Sequence, residues 1–240
     1  MRTKGLFITG TDTGVGKSIV AAGLVSLARL EGIAAIGVKP VETGCRAESG
    51  VLWPEDGALL REAGEHALTL EECAPFRFRL PASPYRAALA EGAFIDLGRV
   101  ETHIRSLALA ADLVIVEGAG GLMVPVTESA LMIDLMQTLA YPVILVARTS
   151  LGTVNHTLLS VEALRNRGLT VAGIVLSRNS RKVGEEEEFT PSDISRFSGD
   201  IPVLVLPHLT KKQRSRPRTI AERMRRVWPR EILAEWLSIT

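Results

Sequence analysis

The stretch GTDTGVGKS at residues 10–18 constrains this chain more than any other part of its sequence. It follows an apolar run at residues 5–8 and precedes an apolar pattern with helical spacing, so a strand is predicted to pass through a glycine loop into a helix. In that setting the glycines let the backbone wrap an anion, Lys17 adds a cation and Ser18 adds a hydroxyl suited to Mg²⁺. The sequence therefore predicts a phosphate-binding loop for a nucleoside triphosphate.

The spacing of this loop departs from the strict pattern G-x-x-x-x-G-K-[ST]. That pattern places its first glycine where this chain has Thr11, and the glycine lies one residue earlier, at Gly10. A glycine-rich turn that only caps a helix would give a similar stretch without binding a ligand. The ordered succession of strand, loop, lysine, serine and helix favours the phosphate loop.

The rest of the chain alternates short apolar runs with helical patterns. The apolar runs, rich in β-branched residues as strands covered on both faces should be, lie at 6–9, 34–38, 113–116, 143–147, 172–176 and 203–206. The helical patterns are clearest at 17–31, 97–110, 154–167 and 220–237. This alternation predicts a single α/β domain over residues 1–240, of the P-loop NTPase type, with a mainly parallel, doubly wound sheet and helices on both faces. Residues 41–95 are predicted to form the longest irregular region.

Composition narrows the class of protein further. Hydrophobic residues make up 46% of the chain, yet no apolar run approaches the roughly 18 residues of a membrane span, and the N-terminus leads at once into a predicted core strand rather than a signal peptide. Cys45 and Cys73, with four scattered histidines, indicate neither a disulfide framework nor a zinc site. We therefore expect a cytoplasmic protein with no membrane partner.

Charge is spread unevenly although the net charge is only +1. Residues 211–230 contain nine Lys and Arg residues against a single acid, Glu222. Such a segment could bind nucleic acid, but Pro217 and Pro229 interrupt it, which favours a solvated loop and a surface helix with its arginines toward water. The acidic run at 185–188 is likewise predicted to be an exposed loop. We expect no nucleic-acid partner.

Two predicted strands end in charged residues. Ligands of open parallel sheets bind beyond the carboxyl ends of the strands, where Lys39 and Glu117 follow the second and third strands. Lys39 could be an ordinary surface lysine, but its position directs it at the rim of Lys17, where two cations would flank a phosphoryl group. Glu117 could only cap a turn, yet a carboxylate beside a phosphate loop resembles a magnesium ligand, and glycines after it let the backbone approach phosphate.

Two further stretches are informative only about local structure. Asp56 is predicted to lie at the start of a helix, and residues 81–88 are predicted to form a turn that opens a short helix.

Seven stretches, in order, resemble the dethiobiotin synthetases, the ATP-dependent ring-closing enzymes of biotin synthesis. The stretches are GTDTGVGKS (10–18), GVKPVETG (37–44), ED (55–56), SPYRAALAEG (83–92), VEGAGG (116–121), PVILVA (142–147) and GTVNHTLLS (152–160). The phosphate loop is shared with other protein classes, whereas its combination with KPVETG and EGAGG is far more specific. The resemblance extends to about residue 209.

The resemblance implies a set of site residues. Ser18, Asp56 and Glu117 would hold Mg²⁺. Lys17 would contact the phosphates of ATP, and Lys39 would be the essential lysine near the substrate's amines and the transferred phosphoryl group. The other ATP contacts would come from Thr13, Gly14, Val15, Gly16, Gly118, Ala119, Gly120, Ser177, Arg178, Pro207, His208 and Leu209. Substrate contacts would come from Thr11, Thr43 and Asn155, the last across a homodimer interface.

The resemblance also implies a reaction. CO₂ adds to one amine of 7,8-diaminononanoate to give a carbamate, ATP phosphorylates that carbamate, and the second amine closes the ureido ring with release of phosphate. No covalent enzyme intermediate is needed, so positioning and stabilisation of anionic oxygens would be sufficient.

One position departs from the family pattern. After the fifth principal strand the family often places an asparagine whose amide reads the adenine edge, and this chain has Ser177, followed by Arg178 and Asn179. A serine hydroxyl cannot match adenine's amino group and ring nitrogen together as an amide can. Adenine selectivity is therefore expected to be weak, unless Asn179 takes over this contact.

Two other enzyme and switch classes share features of the phosphate loop. ParA/MinD-like switch ATPases carry a second lysine early in the loop, where this chain has Asp12. The amidating cobyrinate synthetases append a glutaminase domain, for which 240 residues leave no room. Both classes therefore fit the sequence less well than the dethiobiotin synthetases do.

Overall fold

The computed structural model describes residues 4–48, 50–181 and 184–237. Its strands are β1 Lys4–Gly10, β2 Ala35–Val38, β3 Val41–Thr43, β4 Arg46–Glu48, β5 Val51–Trp53, β6 Phe76–Phe78, β7 Leu113–Gly121, β8 Val143–Arg148, β9 Val171–Ser177 and β10 Val203–Leu206. Its helices are α1 Lys17–Leu30, α2 Glu55–Ala63, α3 Leu70–Cys73, α4 Pro84–Ala90, α5 Leu97–Ala108, α6 Met132–Leu139, α7 Thr153–Asn166, α8 Thr190–Phe197, α9 Lys211–Arg214, α10 Pro217–Val227 and α11 Arg230–Leu237. Within these residues no helix is long and apolar enough to cross a membrane.

A parallel sheet forms the centre of the molecule. Its strand order is β10-β9-β8-β1-β7-β2, and each neighbouring pair runs parallel. The strands are buried along nearly their whole length because helices cover both faces, which is why they read as continuous apolar runs. The predicted α/β class with a mainly parallel sheet is confirmed. That residues 1–240 form one domain stays a prediction.

The helices divide between the two faces of the sheet. Helices α5, α6, α7 and α8 bury apolar side chains against one face, and α1, α2, α10 and α11 against the other. Because the sheet is parallel, the carboxyl ends of β1, β2 and β7 open at one edge. The phosphate loop, which joins β1 to α1, lies at that edge.

The predicted end of the third principal strand was wrong. The strand does not stop at Val116 but continues as β7 to Gly121, and Glu117 lies inside it, opposite Ile8 of β1. The glycines after Glu117 keep the parallel pairing with β1 as far as Gly10, with a register shift after Ile8. Glu117 therefore lies within a strand that pairs with β1 instead of capping a turn.

The C-terminal basic segment also differs from its prediction. A single helix over 220–237 was expected, but α10 ends at Val227 and α11 begins at Arg230. The break follows from Pro229, which disfavours helical backbone at the preceding residue, and Trp228 is indeed extended (φ −100°, ψ 143°). The arginines mostly face water, as predicted. The opposite side of both helices, however, packs into the hydrophobic core.

Two loop predictions need correction. Residues 41–95 contain four short strands and three helices, and two of those strands, β3 and β6, form a small parallel sheet. The acidic run is a 3₁₀ turn, Glu185–Glu188, rather than an exposed loop throughout. The Glu187 side chain is only 9% exposed, because it forms an ion pair with Arg178 (3.0 Å). The helix starts predicted at Asp56 and after residue 83 are confirmed by α2 and α4.

Candidate active site

The phosphate loop owes its shape to three glycines. Gly14 and Gly16 have φ values of 74° and 104°, which only glycine adopts without strain, and Gly16 is the N-cap of α1. Gly10 is needed for space, since a Cβ there would lie 2.7 Å from Val15 and 3.2 Å from Lys17. The loop can therefore fold tightly over the start of α1, with the helix N–H groups facing outward for an anion.

Lys17 is almost fully buried beneath this loop. It is 5% exposed, and its ammonium donates to the carbonyl oxygen of Asp12 at 2.9 Å. Burial, and then the ammonium of Lys39, lower the pKa of Lys17 to about 8. Two lysines are thus close enough for their charges to repel, an arrangement that a phosphate between them would relieve.

Lys39 lies between two carboxylates. Its Nζ is 2.6 Å from Glu117 Oε1 and 3.0 Å from Asp56 Oδ2, and it also donates to the carbonyl oxygen of Gly118 at 3.2 Å. Burial alone would lower the pKa of Lys39, but the two carboxylates hold it above its ordinary value. Burial would likewise raise the pKa of Asp56, but Lys39 outweighs it and the pKa lies below its usual value. Lys39 is therefore a protonated cation.

One observation supports a magnesium ion bound by Ser18, Asp56 and Glu117. Among the described residues Glu117 Oε2 is buried and has no hydrogen-bond partner, while Glu117 Oε1 accepts from Ser18 Oγ at 2.8 Å. A buried carboxylate oxygen without a partner is costly unless a cation satisfies it. Within the described residues, no group of three or more His, Cys, Asp or Glu side chains is arranged to hold a metal ion. Mg²⁺ usually takes one or two protein carboxylates and completes its shell with water and phosphate oxygens.

A cavity of about 830 Å³ unites most of the predicted residues. The predicted residues that line it are Thr13, Gly14, Gly16, Lys17, Ser18, Lys39, Thr43, Asp56, Glu117, Ala119 and Gly120. Two groups not predicted from the sequence also line it: residues 81–84 with Glu42, and Lys211, Arg214 and Ser215 from the basic segment. Part of that segment therefore faces the cavity rather than bulk water.

The remaining predicted residues lie outside this lining. Val15 is buried at 1% exposure, Gly118 offers only its carbonyl to Lys39, and the Thr11 backbone N–H donates to the carbonyl of Val146 at 3.0 Å. Asn155 is exposed on α7, away from the cavity of its own chain. Their roles stay predictions.

Three of the residues predicted to contact ATP line a second hollow. Arg178, Pro207 and His208 line an open space of about 400 Å³, while Leu209 packs into the core. Ser177 is 6% exposed and packs on the phosphate loop. Its Oγ lies so near Gly16 that a Cβ at Gly16 would be only 2.6 Å from it. Ser177 therefore touches the loop backbone directly.

Glu42 is the buried acid that the sequence prediction missed. It is 6% exposed, and its two oxygens accept the backbone N–H groups of Asp56 (3.0 Å) and Gly57 (2.9 Å). Burial, and then the Asp56 carboxylate, raise the pKa of Glu42 to about 7 against these two hydrogen bonds, which lower it. Its only sequence signal is its place between Lys39 and Thr43, which were both predicted.

The basic helix α9 carried a signal that was overlooked. Thr210 and Gln213 form a capping box, in which the Thr210 side chain accepts from the Gln213 N–H and the Gln213 side chain accepts from the Thr210 N–H. A T-x-x-Q pattern directly after a core strand predicts a helix start at the ligand-binding edge. Lys211 and Arg214 could have been found this way.

Comparison with known proteins identifies the family. A model described as an AAA domain matches residues 4–216. An ATP-dependent dethiobiotin synthetase of Anaeromyxobacter dehalogenans (strain 2CP-C) is 46% identical over 204 residues, covering 85% of this chain and 90% of the relative. A protein of the same name from Bacillus licheniformis is 40% identical, covering 86% of each chain. The chain belongs to the dethiobiotin synthetase family.

Solved structures agree with the fold of this family member. A ParA family ATPase from Chlorobium tepidum superposes with a TM-score of 0.58 over 99% of this chain and all of the other, at 13% identity. The septum site-determining protein MinD of Pyrococcus horikoshii, solved with Mg-ADP, gives 0.59 over 98% of this chain and 93% of the other, at 17% identity. At such low identity these likenesses concern the fold alone, and they agree with the predicted α/β fold with its mainly parallel sheet.

Proposed function

We propose that this protein is an ATP- and Mg²⁺-dependent cyclo-ligase that converts 7,8-diaminononanoate and CO₂ to dethiobiotin. The observation that carries the proposal is one cavity lined by Lys17 of the phosphate loop, by Lys39 and by the acids Asp56 and Glu117. Family membership supports the same reaction.

Three covalent steps make up the reaction. One amine attacks CO₂ and loses a proton, which gives a carbamate. The carbamate oxygen attacks the γ-phosphorus of ATP and ADP leaves, so that a carbamic-phosphoric anhydride forms. The second amine then attacks the carbonyl carbon, the C–O bond to phosphate breaks, and the ureido ring closes with loss of a proton. None of these steps needs a nucleophilic side chain, so the protein acts by positioning and by stabilising negative charge.

The two lysines have separate tasks in this proposal. Lys17, on the phosphate loop, faces the phosphates of the bound nucleotide. Lys39 is a buried ammonium kept protonated by Asp56 and Glu117, so it can stabilise charge that develops on the transferred phosphoryl group and the carbamate. Thr43 lines the same cavity, and we assign it a contact with the substrate.

Ser18, Asp56 and Glu117 would hold the magnesium ion. When bound, it would neutralise charge on the nucleotide phosphates. The basic side chains Lys211 and Arg214 line the same cavity and add positive potential for an anionic ligand. Arg178, Pro207 and His208 line the second hollow, which is where we place the base.

Coupling of ATP hydrolysis to the diamine tests the proposal. ADP release by the purified protein, with Mg²⁺ and bicarbonate, is expected to depend on 7,8-diaminononanoate. A switch ATPase of the ParA/MinD type would instead hydrolyse ATP at a rate that the diamine does not change. ADP release that is indifferent to the diamine would therefore contradict the proposal.

A homodimer is proposed for the working enzyme. Leu151 and Leu159, near the start of α7, are 90% and 57% exposed, and a second copy could bury them. Val161, on the same helix, packs into the chain's own core. Light scattering is expected to give twice the chain mass of 25.9 kDa. A mass of 25.9 kDa at working concentration, together with full activity, would contradict the dimer.

Weak base selectivity is predicted from Ser177. Its short side chain packs on Gly16 and offers one hydroxyl, so phosphates and Mg²⁺ should carry most of the nucleotide affinity. CTP or GTP is expected to support turnover with kcat/KM within about tenfold of ATP, a difference of ~1.4 kcal/mol. The Ser177→Asn variant is the matched comparison and should favour ATP more strongly. An ATP preference of several hundredfold in the unmodified protein would show that another group reads adenine.

A further inference from the structure

Helix α2 lacks a cap from its own chain segment. Its N-cap residue is Pro54, which makes no side-chain capping hydrogen bond, so the N–H groups of the first turn need acceptors from elsewhere. Glu42, thirteen residues before the helix begins, supplies two acceptors. Its Oε1 accepts the backbone N–H of Asp56, and its Oε2 accepts the backbone N–H of Gly57. A carboxylate also suits the positive end of a helix.

Two features make this contact rigid. Glu42 belongs to β3, which pairs with β6 in register with Arg77, so its backbone is fixed by a sheet. A Cβ at Gly57 would lie 2.7 Å from the Cβ of Ala74, so the turn is packed tightly against the residue that ends α3. The backbone of Asp56 therefore has little freedom.

Asp56 is held at two points by one short segment. Lys39 binds its carboxylate at 3.0 Å, and Glu42, three residues later, binds its backbone N–H at 3.0 Å. The two contacts act on different parts of Asp56. The ion pair with Lys39 fixes its carboxylate, whereas the hydrogen bonds of Glu42 fix the backbone from which that carboxylate extends.

We propose that Glu42 is a positioning residue, whose carboxylate fixes the first turn of α2 so that Asp56 can bind the divalent cation. The inference rests on the proposed function, since it assumes that Asp56 is a magnesium ligand. It assigns no contact between Glu42 and a reacting atom. Removing Glu42 should therefore weaken the metal's contribution to nucleotide binding rather than the binding of the nucleotide itself.

The test measures nucleotide affinity with and without Mg²⁺. The probe is the β,γ-imido analogue of ATP, which is not turned over, and calorimetry gives its Kd in each condition. In the unmodified protein Mg²⁺ should tighten binding. In Glu42→Ala this gain is expected to fall by about tenfold, as is typical when a partner of a metal ligand is removed, while the Kd without Mg²⁺ stays nearly unchanged.

Asp96→Ala is the matched control. Asp96 also caps a helix with a carboxylate, accepting the N–H groups of Gly98 (2.8 Å) and Arg99 (3.2 Å), but it lies at the exposed start of α5 and does not line the cavity. It should lower the melting temperature and leave the Mg²⁺ gain unchanged. Where Glu42→Ala does not fold, Glu42→Gln serves instead. It keeps one acceptor oxygen, and the gain in affinity from Mg²⁺ should be about threefold smaller than in the unmodified protein.

The outcomes separate this inference from the proposed function. A normal Mg²⁺ gain in the unmodified protein that also survives in folded Glu42→Ala or Glu42→Gln would overturn the role of Glu42 alone. An unmodified protein that binds no nucleotide, or binds it without any effect of Mg²⁺, would overturn the proposed function and with it this inference.

Discussion

Lys39→Ala is expected to lower kcat by about 10²–10³-fold, a loss of ~2.7–4 kcal/mol, while the affinity for ATP changes little. Lys39 is 4% exposed and its ammonium is fixed by Asp56 and Glu117, so it is already oriented before charge develops on the transferred group. A cation held in this way acts mostly in the transition state. Steady-state kinetics and nucleotide titration separate the two effects.

Lys17→Ala is the matched comparison for Lys39→Ala. Its ammonium lies under the phosphate loop and would face phosphates in the ground state, so both nucleotide affinity and turnover should fall. Lys39→Ala also leaves two carboxylates without their cation, so its melting temperature must be checked with nucleotide and Mg²⁺ present. Near-normal turnover in folded Lys39→Ala would remove Lys39 from the catalytic residues.

Trp236→Ala is expected to lower the free energy of unfolding by about 3–5 kcal/mol. Trp236 is 3% exposed, its indole N–H donates to the carbonyl of Ala172 at 3.1 Å, and its ring meets Trp228 edge to face at 6.0 Å between centroids. The ring also fills the space over Gly173, where a Cβ would lie 2.1 Å from it. Helix α11 is thus part of the core, and denaturant unfolding measures its contribution.

Arg218→Ala, on the neighbouring helix α10, is the control. The Arg218 side chain is 77% exposed and forms a surface ion pair with Glu222 at 3.6 Å, so its loss should cost no more than about 1 kcal/mol. Equal effects of the two substitutions, or a Trp236→Ala protein as stable as the unmodified one, would contradict a structural role for the C-terminal helices.

The parallel sheet could be predicted from the sequence because its strands are covered on both faces. Such strands read as uninterrupted apolar runs, and the six predicted runs all correspond to strands of the central sheet. The ends of the strands were harder to predict where packing, rather than local sequence, decides them. The third run continues as β7 to Gly121 because backbone pairing with β1 continues through a glycine stretch that has no strand signature of its own.

The candidate site was predictable where local sequence fixes the geometry. The phosphate loop and the strand ends placed Lys17, Lys39 and Glu117 at one edge, and the structure brings all three to one cavity. Asp56 was different: its sequence neighbours predict only a helix start, and its place beside Lys39 follows from how α2 packs. Glu42 was missed because a buried cap for a distant helix leaves no local pattern.

The packing of the C-terminal helices also could not be predicted from local sequence. The charges of this segment predicted a solvated surface, but the apolar residues Ile220 and Met224, on the opposite side of α10, pack against α1, where a Cβ at Gly23 would lie 2.5 Å from Met224 Cε. Nor could charge alone show that Lys211 and Arg214 line the cavity, since that depends on where α9 follows β10.

Product analysis with labelled carbon tests the proposed function most directly. The purified protein is incubated with 7,8-diaminononanoate, ¹³C-bicarbonate, Mg²⁺ and ATP, and a monoamine analogue of the substrate serves as the control. The proposal predicts dethiobiotin that carries the ¹³C in its ureido carbon, formed in equal amount to the ADP released, and no ring product from the monoamine. ATP hydrolysis without labelled dethiobiotin would contradict it.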